Sequence, residues 1–165
     1  MKMRGVLVFL SAIALAAAAT AQTKTSGTLQ CSKSDPVNMI EVGDQPGHAF
    51  VIAKTACSWS KPMEIEGAQT KDGVSVGSEE MSGGKSSSSG THWSTMSSGD
   101  KMFVRFQGKS TYDKDGKMLT SKGTWSYTGG TGKLKGIKGK GTYDGKGSPD
   151  GTAAYEVEGD YTLSK

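Results

Sequence analysis

The segment YEVEGDYTL alternates strictly along its length. Tyr155, Val157, Gly159, Tyr161 and Leu163 fall on one face, and Glu156, Glu158, Asp160 and Thr162 on the other. A two-residue period belongs to a strand with one face on an apolar interior and the other in water. MFVRFQGKSTY repeats the pattern, with Met102, Val104, Phe106 and Tyr112 against Arg105, Gln107 and Lys109. Phe103 falls on the polar side and is expected to be partly covered. HAFVIAKTACSW is apolar on both faces around Phe50 to Ala53, which predicts a more enclosed strand. In KPMEIEG, Met63 and Ile65 oppose Glu64 and Glu66, and Pro62 marks a strand start or a bend, because proline donates no ladder hydrogen bond.

Turn signals separate these runs. Asp-Gly, the dipeptide favoured in hairpins, stands at 72–73, 115–116 and 150–151. SGGKSSSSG at 82–90 is of low complexity and reads as a flexible loop. No stretch beyond the first residues holds a 3.6-residue apolar period. Eight or nine short strands with almost no helix predict an all-β sandwich or barrel. The 24 glycines favour the barrel, where they serve sharp bends. The expected architecture is a single antiparallel β-barrel of about eight strands.

The N-terminus changes the picture of location. Lys2 and Arg4 precede an apolar run from Val6 to Ala19, and Ala19-Thr20-Ala21 supplies a small-x-small cleavage pattern. Residues 1–21 are therefore expected to be a cleaved signal peptide, the run being shorter than the roughly 20 residues that span a bilayer. Residues 22–165 are expected to form one exported, soluble domain, periplasmic or extracellular. Residues 1–21 hold two of the 20 basic residues and none of the 16 acidic ones, so the remainder carries a net charge of +2. That small charge argues against a nucleic-acid partner. Cys31 and Cys57 are the only cysteines and, in an oxidising compartment, read first as a disulfide, with free thiols as the alternative. A metal site is not expected, because only His48 and His92 could join the thiols and nothing has ligand spacing.

Charge is unevenly placed. Seven lysines and one acid, Asp144, lie between 117 and 146, whereas eight acids and three lysines lie between 35 and 80. The segment SYTGGTGKLKGIKGKGTY, with its Lys-rich stretch at 133–140, admits three readings. A phosphate loop fails, because Tyr127 stands where the first glycine of G-x-x-x-x-G-K-[ST] belongs and Leu134 where the hydroxyl belongs. A docking patch for an anionic partner remains open. The favoured reading is a hairpin in which Lys138 and Lys140 face water opposite Glu156, Glu158 or Asp160, while Gly139 and Gly141 lie beside Tyr155 and Val157. The glycines at 129, 130, 132 and 136 would supply the turns before it.

GTWSYTGGTGKLKGIKGKGTY resembles the G-G-[ST]-G-x-[FL]-x-G-x-x-G segment of the allene oxide cyclase-like barrel, an eight-stranded antiparallel barrel of the wider calycin group. With KTACSWSKPMEIEG and TMSSGDKMFVRFQGKSTYDKDGK, the chain from position 48 onward is similar to exported bacterial proteins of that kind. The plant cyclases of the family use a glutamate and a bound water in an apolar cavity. Leu134 stands where those enzymes often carry Phe, no aligned catalytic set is present, and cyclase activity is not carried over.

Local chemistry is sparse. His48, at an expected strand start, and His92, beside Trp93, read as surface or structural residues rather than general bases. Alternation sends the pairs Glu64/Glu66 and Glu156/Glu158 to solvent, where they behave alike. DKDGK at 113–117 lacks the later ligands of a calcium loop and reads as a hairpin turn. Trp59, Trp93, Trp125 and Tyr127 are the candidate lining of a ligand cavity, with plain core packing as the alternative. No cofactor and no catalytic residue is assigned. The leading function is non-enzymatic binding of a small apolar or amphipathic molecule, or an envelope interaction. The alternative is an isomerase or cyclase acting on a lipid-derived substrate. An open apolar cavity holding a buried carboxylate and an ordered water would favour the alternative, and an aromatic lining without ionisable groups would favour binding.

Overall fold

The computed structural model describes residues 22–163; the expected signal peptide lies outside them. Ten strands follow in order: β1 Thr23–Cys31, β2 Val37–Glu41, β3 Ala49–Lys61, β4 Glu64–Ile65, β5 Ala68–Ser82, β6 Lys85–Met96, β7 Lys101–Tyr112, β8 Met118–Gly130, β9 Lys138–Gly147 and β10 Ala153–Thr162. Eight of them close an antiparallel barrel in the order β1-β10-β9-β8-β7-β6-β5-β3, with β3 returning to β1. The short β2 pairs with the first half of β3, and β4 with the start of β5. The expected all-β barrel is the observed fold, closed where Thr28–Cys31 of β1 pair with β3.

Alternation sets the two faces. Tyr155, Val157, Gly159 and Tyr161 of β10 point inward; Met102, Val104 and Phe106 do so on β7. Met63 and Ile65 are buried, while Glu64 and Glu66 are exposed. The β9–β10 hairpin pairs Lys140 with Asp160 and Gly141 with Gly159. Lys138 lies opposite Thr162, however, and Glu156 and Glu158 face Asp144 and Thr142. The ladder is shifted by two residues from a pairing that would put both lysines against acids.

Three other expectations change. Residues 82–90 are not a loop: a tight turn at Gly83–Gly84 leads straight into β6, whose serines alternate inward and outward. Asp72-Gly73 lies within β5, at a register shift between Thr70 and Gly73, and is not a hairpin turn. The start of β3 is enclosed on one face only: Ala49 and Val51 are buried, but Phe50 and Ile52 stand about half exposed on the outer wall. The remaining Asp-Gly signals are turns. Asp113 accepts from the backbone N–H groups of Asp115 (2.9 Å) and Lys117 (2.8 Å), and Asp150 from that of Thr152 (3.0 Å).

The barrel has one plugged end. Met63, Ile65, Met96, Met102, Leu134 and Ile137 pack there, with Leu134 carried on a single 3-10 turn at Gly132–Leu134. The Thr70 hydroxyl accepts from the Met63 N–H at 2.9 Å and the Tyr161 hydroxyl from the Glu66 N–H at 3.3 Å, tying the plug to the wall. The Cys31–Cys57 disulfide joins β1 and β3 near the other end.

Candidate functional site: an open-ended lumen

Between the plug and the opposite rim lies a cavity of about 600 Å³. Large side chains usually fill an eight-stranded barrel. Here several aromatic rings instead pack against glycines of nearby strands. Tyr143 of β9 covers Gly108 and Gly123, Tyr155 covers Gly145, Phe106 covers Gly77 and Gly90, and Trp125 covers Gly141 and Gly159. With no Cβ beneath them, the rings stay close to the wall and leave the axis empty.

The wall has two characters. On β1, β3 and β10 it is apolar, with Leu29, Cys31, Val51, Ala53, Ala153 and Val157 facing the lumen. On β5 through β8 it is rich in hydroxyls, with Ser88 beside a connected set of polar side chains. Glu79 Oε1 accepts from the Ser86 hydroxyl and, at 2.5 Å, from the Tyr112 hydroxyl. Ser110 donates to Ser121 at 3.1 Å. Register explains the clustering: Ser86 lies opposite Ser110, and Ser110 opposite Ser121, so adjacent strands carry hydroxyls at one level. Around the rim stand Met39, Met81 and Met118, pliable side chains that adapt to varied shapes.

Burial raises the Tyr112 hydroxyl above its ordinary range, and the hydrogen bond to Glu79 adds to this. Tyr143 is also raised, chiefly by burial, and Tyr155 is pushed up to about 12, again by burial first. All three remain neutral phenols at physiological pH.

Nearer the plug, His92 Nδ1 lies 2.9 Å from the Ser75 hydroxyl and Nε2 2.8 Å from that of Ser94, which also accepts from the Trp59 indole at 2.9 Å. Burial lowers His92 to about 4, so its imidazole is neutral. Both ring nitrogens are engaged, so His92 ties β5 to β6 through Ser75 and Ser94. His48 sits outside the barrel between Asp44 (2.6 Å) and Glu80 (3.2 Å), and its pKa is raised, first by the hydrogen bond to Asp44.

Of the four aromatic residues expected at a cavity, Trp59 and Trp125 line the lumen. Trp93 does not: its neighbour His92 takes the inward position, and Trp93 lies outside under the Lys101 ammonium, 4.8 Å from the ring centre. Tyr127 belongs to the packed core near the plug, edge-on to Trp125 at 4.9 Å, and its buried hydroxyl has no hydrogen-bond partner among the described residues. Glu79, Tyr112, Ser86, Ser110 and Ser121 were not expected at the site. For Glu79 the signal was the alternation in GVSVGSEEM, where Gly73, Ser75, Gly77, Glu79 and Met81 share a face; it is masked because the valines occupy the other one.

Fold and site together define a closed eight-stranded antiparallel barrel with a one-ended, two-sided lumen. No family model matches the chain, and no curated protein matches it in sequence. Among solved structures it is similar to a pyocyanin demethylase, at 19% identity and a TM-score of 0.43, over 81% of this chain and 98% of that one. It is also similar to a pterocarpan synthase dirigent protein, at 11% identity and a TM-score of 0.49, over 96% of this chain and 100% of that one. At such identities neither neighbour's activity transfers to this chain.

Proposed function

We propose that this is an exported binding protein that takes a small amphipathic molecule into the barrel lumen. The observation that carries the reading is the two-sided wall. A cavity of about 600 Å³ suits a ligand of a few tens of heavy atoms, with apolar surface for its body and clustered hydroxyls for a polar group. The Cys31–Cys57 disulfide and the signal-like residues 1–21 support export. Titration with a panel of fatty acids and terpenoids, followed by intrinsic tryptophan fluorescence, tests the reading. Saturable quenching at one ligand per chain is expected from at least one class. A flat response to the whole panel overturns it.

A second reading, proton-transfer catalysis on a lipid-derived substrate, is favoured by the Glu79 carboxylate inside the lumen. It separates from the first by the fate of the ligand. Recovery of every bound panel member chemically unchanged after prolonged incubation rejects catalysis on that panel, and an isomerised product establishes it.

A further inference from the structure

Glu79 is the acidic side chain at the centre of the polar wall, and its two oxygens are not equivalent. Oε1 takes both hydrogen bonds, from Ser86 and Tyr112, while Oε2 has no hydrogen-bond donor among the described residues. Nor is the charge paired. Among the described residues, the ion pairs are Lys24–Asp160, Lys122–Asp144 and the contacts of His48 with Asp44 and Glu80, none of which involves Glu79. His92 is engaged by Ser75 and Ser94. Lys33, Lys117 and the acid Asp150 reach the cavity only at its mouth and are exposed. A half-buried carboxylate without a counter-ion is costly, and the cost falls if a cation occupies the space in front of it.

The surroundings suit an organic cation. Tyr143 and Tyr155 meet edge to face with ring centres 5.9 Å apart, and with Phe106 they line the lumen that Glu79 and Tyr112 also line. Aromatic faces carry negative quadrupole potential and attract ammonium groups, more strongly when these are desolvated. Burial first of all keeps Tyr112, Tyr143 and Tyr155 protonated, and for Tyr112 the hydrogen bond to Glu79 adds to it, so the carboxylate has no anionic phenolate beside it.

We propose, on the reading that the lumen binds an amphipathic molecule, that the group it receives is an ammonium or protonated amine, seated on Glu79 Oε2 among Tyr112, Tyr143 and Tyr155, with an apolar body against Leu29, Val51 and Val157. Two exposed lysines against one exposed acid, Asp150, at the mouth, and the net charge of +2 over residues 22–165, favour anions from outside, so a preference for cations would have to arise inside the barrel.

Three probes with one body and different heads test this: decylammonium, decanol and decanoate, each competing with the neutral dye N-phenyl-1-naphthylamine. Decylammonium is expected to bind about tenfold or more tighter than decanol, with decanoate weakest. Glu79→Gln, which keeps an acceptor for Ser86 and Tyr112, is expected to abolish the difference between decylammonium and decanol. Equal affinities, a preference for decanoate, or an ammonium preference that survives Glu79→Gln overturns the inference. Decanol binding without ammonium preference overturns it while leaving the lumen reading intact. Failure of all three to displace the dye overturns both. Should Glu79→Gln not fold, as judged by its thermal transition, the wild-type ranking of the three heads decides.

Discussion

The indole of Trp125 lies over Gly141, its register partner on the neighbouring strand, so that a Cβ added at 141 would stand 2.7 Å from the ring. The same atom would also collide with the backbone carbonyl of Glu158 and come 2.7 Å from the Cα of Gly159. The ring has little room to withdraw, because its N–H donates to the Thr142 carbonyl at 3.2 Å and it packs T-shaped with Tyr127. Gly141→Ala is therefore expected to destabilise the barrel by about 2 kcal/mol or more, as overpacking against backbone does. Urea denaturation measures it, and a loss below about 0.5 kcal/mol would show that the wall yields.

The disulfide closes a loop with a sequence separation of 26. On the chain-entropy account, removing it costs roughly 3–4 kcal/mol. Replacing Cys31 and Cys57 together by serine should lower the thermal midpoint by about 10 °C in calorimetry, at about 2–4 °C per kcal/mol for a domain of this size.

The two histidines should titrate on opposite sides of the ordinary imidazole value of 6.5. His92, lowered to about 4 by burial, binds its proton more readily in the unfolded chain. Its contribution to stability is therefore present above pH 6.5 and lost as the pH falls towards 4, amounting to about 3 kcal/mol. His48 is raised by Asp44 and Glu80, so its contribution is present below 6.5 and lost as the pH rises through its folded value. Proton NMR of the C2–H resonances checks both: one should titrate above 6.5, and the other should stay unprotonated at pH 5.

The tryptophans should report separately on the lumen. Trp59 and Trp125 line it, and Trp93 does not. Trp93→Phe is expected to preserve the fluorescence response to any ligand that quenches the wild type. Trp125→Phe should diminish the response by about half, Trp59 being the remaining reporter. Loss of the response with Trp93→Phe would place the ligand on the outer wall.

How much of this was legible in sequence depended on what each face meets. YEVEGDYTL and MFVRFQGKSTY read correctly because their inward residues are large and apolar and their outward ones charged. KSSSSG did not, because serine strands that wall a lumen have the composition of a linker; only pairing with β5 and β7 distinguishes them. GVSVGSEEM carries the rhythm with its sign reversed, since Val74 and Val76 face out and Glu79 faces in. A lumen with a polar side inverts the rule that hydropathy marks the interior. The misplacement of Trp93 follows from the same stretch, where the face of β6 is settled by His92 and Ser94 and not by the larger indole. Glu79 was hidden for a further reason: the sequence shows a carboxylate next to another carboxylate, and nothing in it brings Tyr112 within 2.5 Å.

Met63, Ile65, Leu134 and Ile137 stopper one end of the barrel, which turns the interior into a blind alley. Whatever enters must back out through the doorway it came by, past Met39, Met81 and Met118. A molecule lodged at the bottom could not be pushed through by the next arrival, and its dwell time would depend on the pliancy of that methionine threshold. On the proposed reading, such a vessel would hold a single guest and return it to the side from which it came.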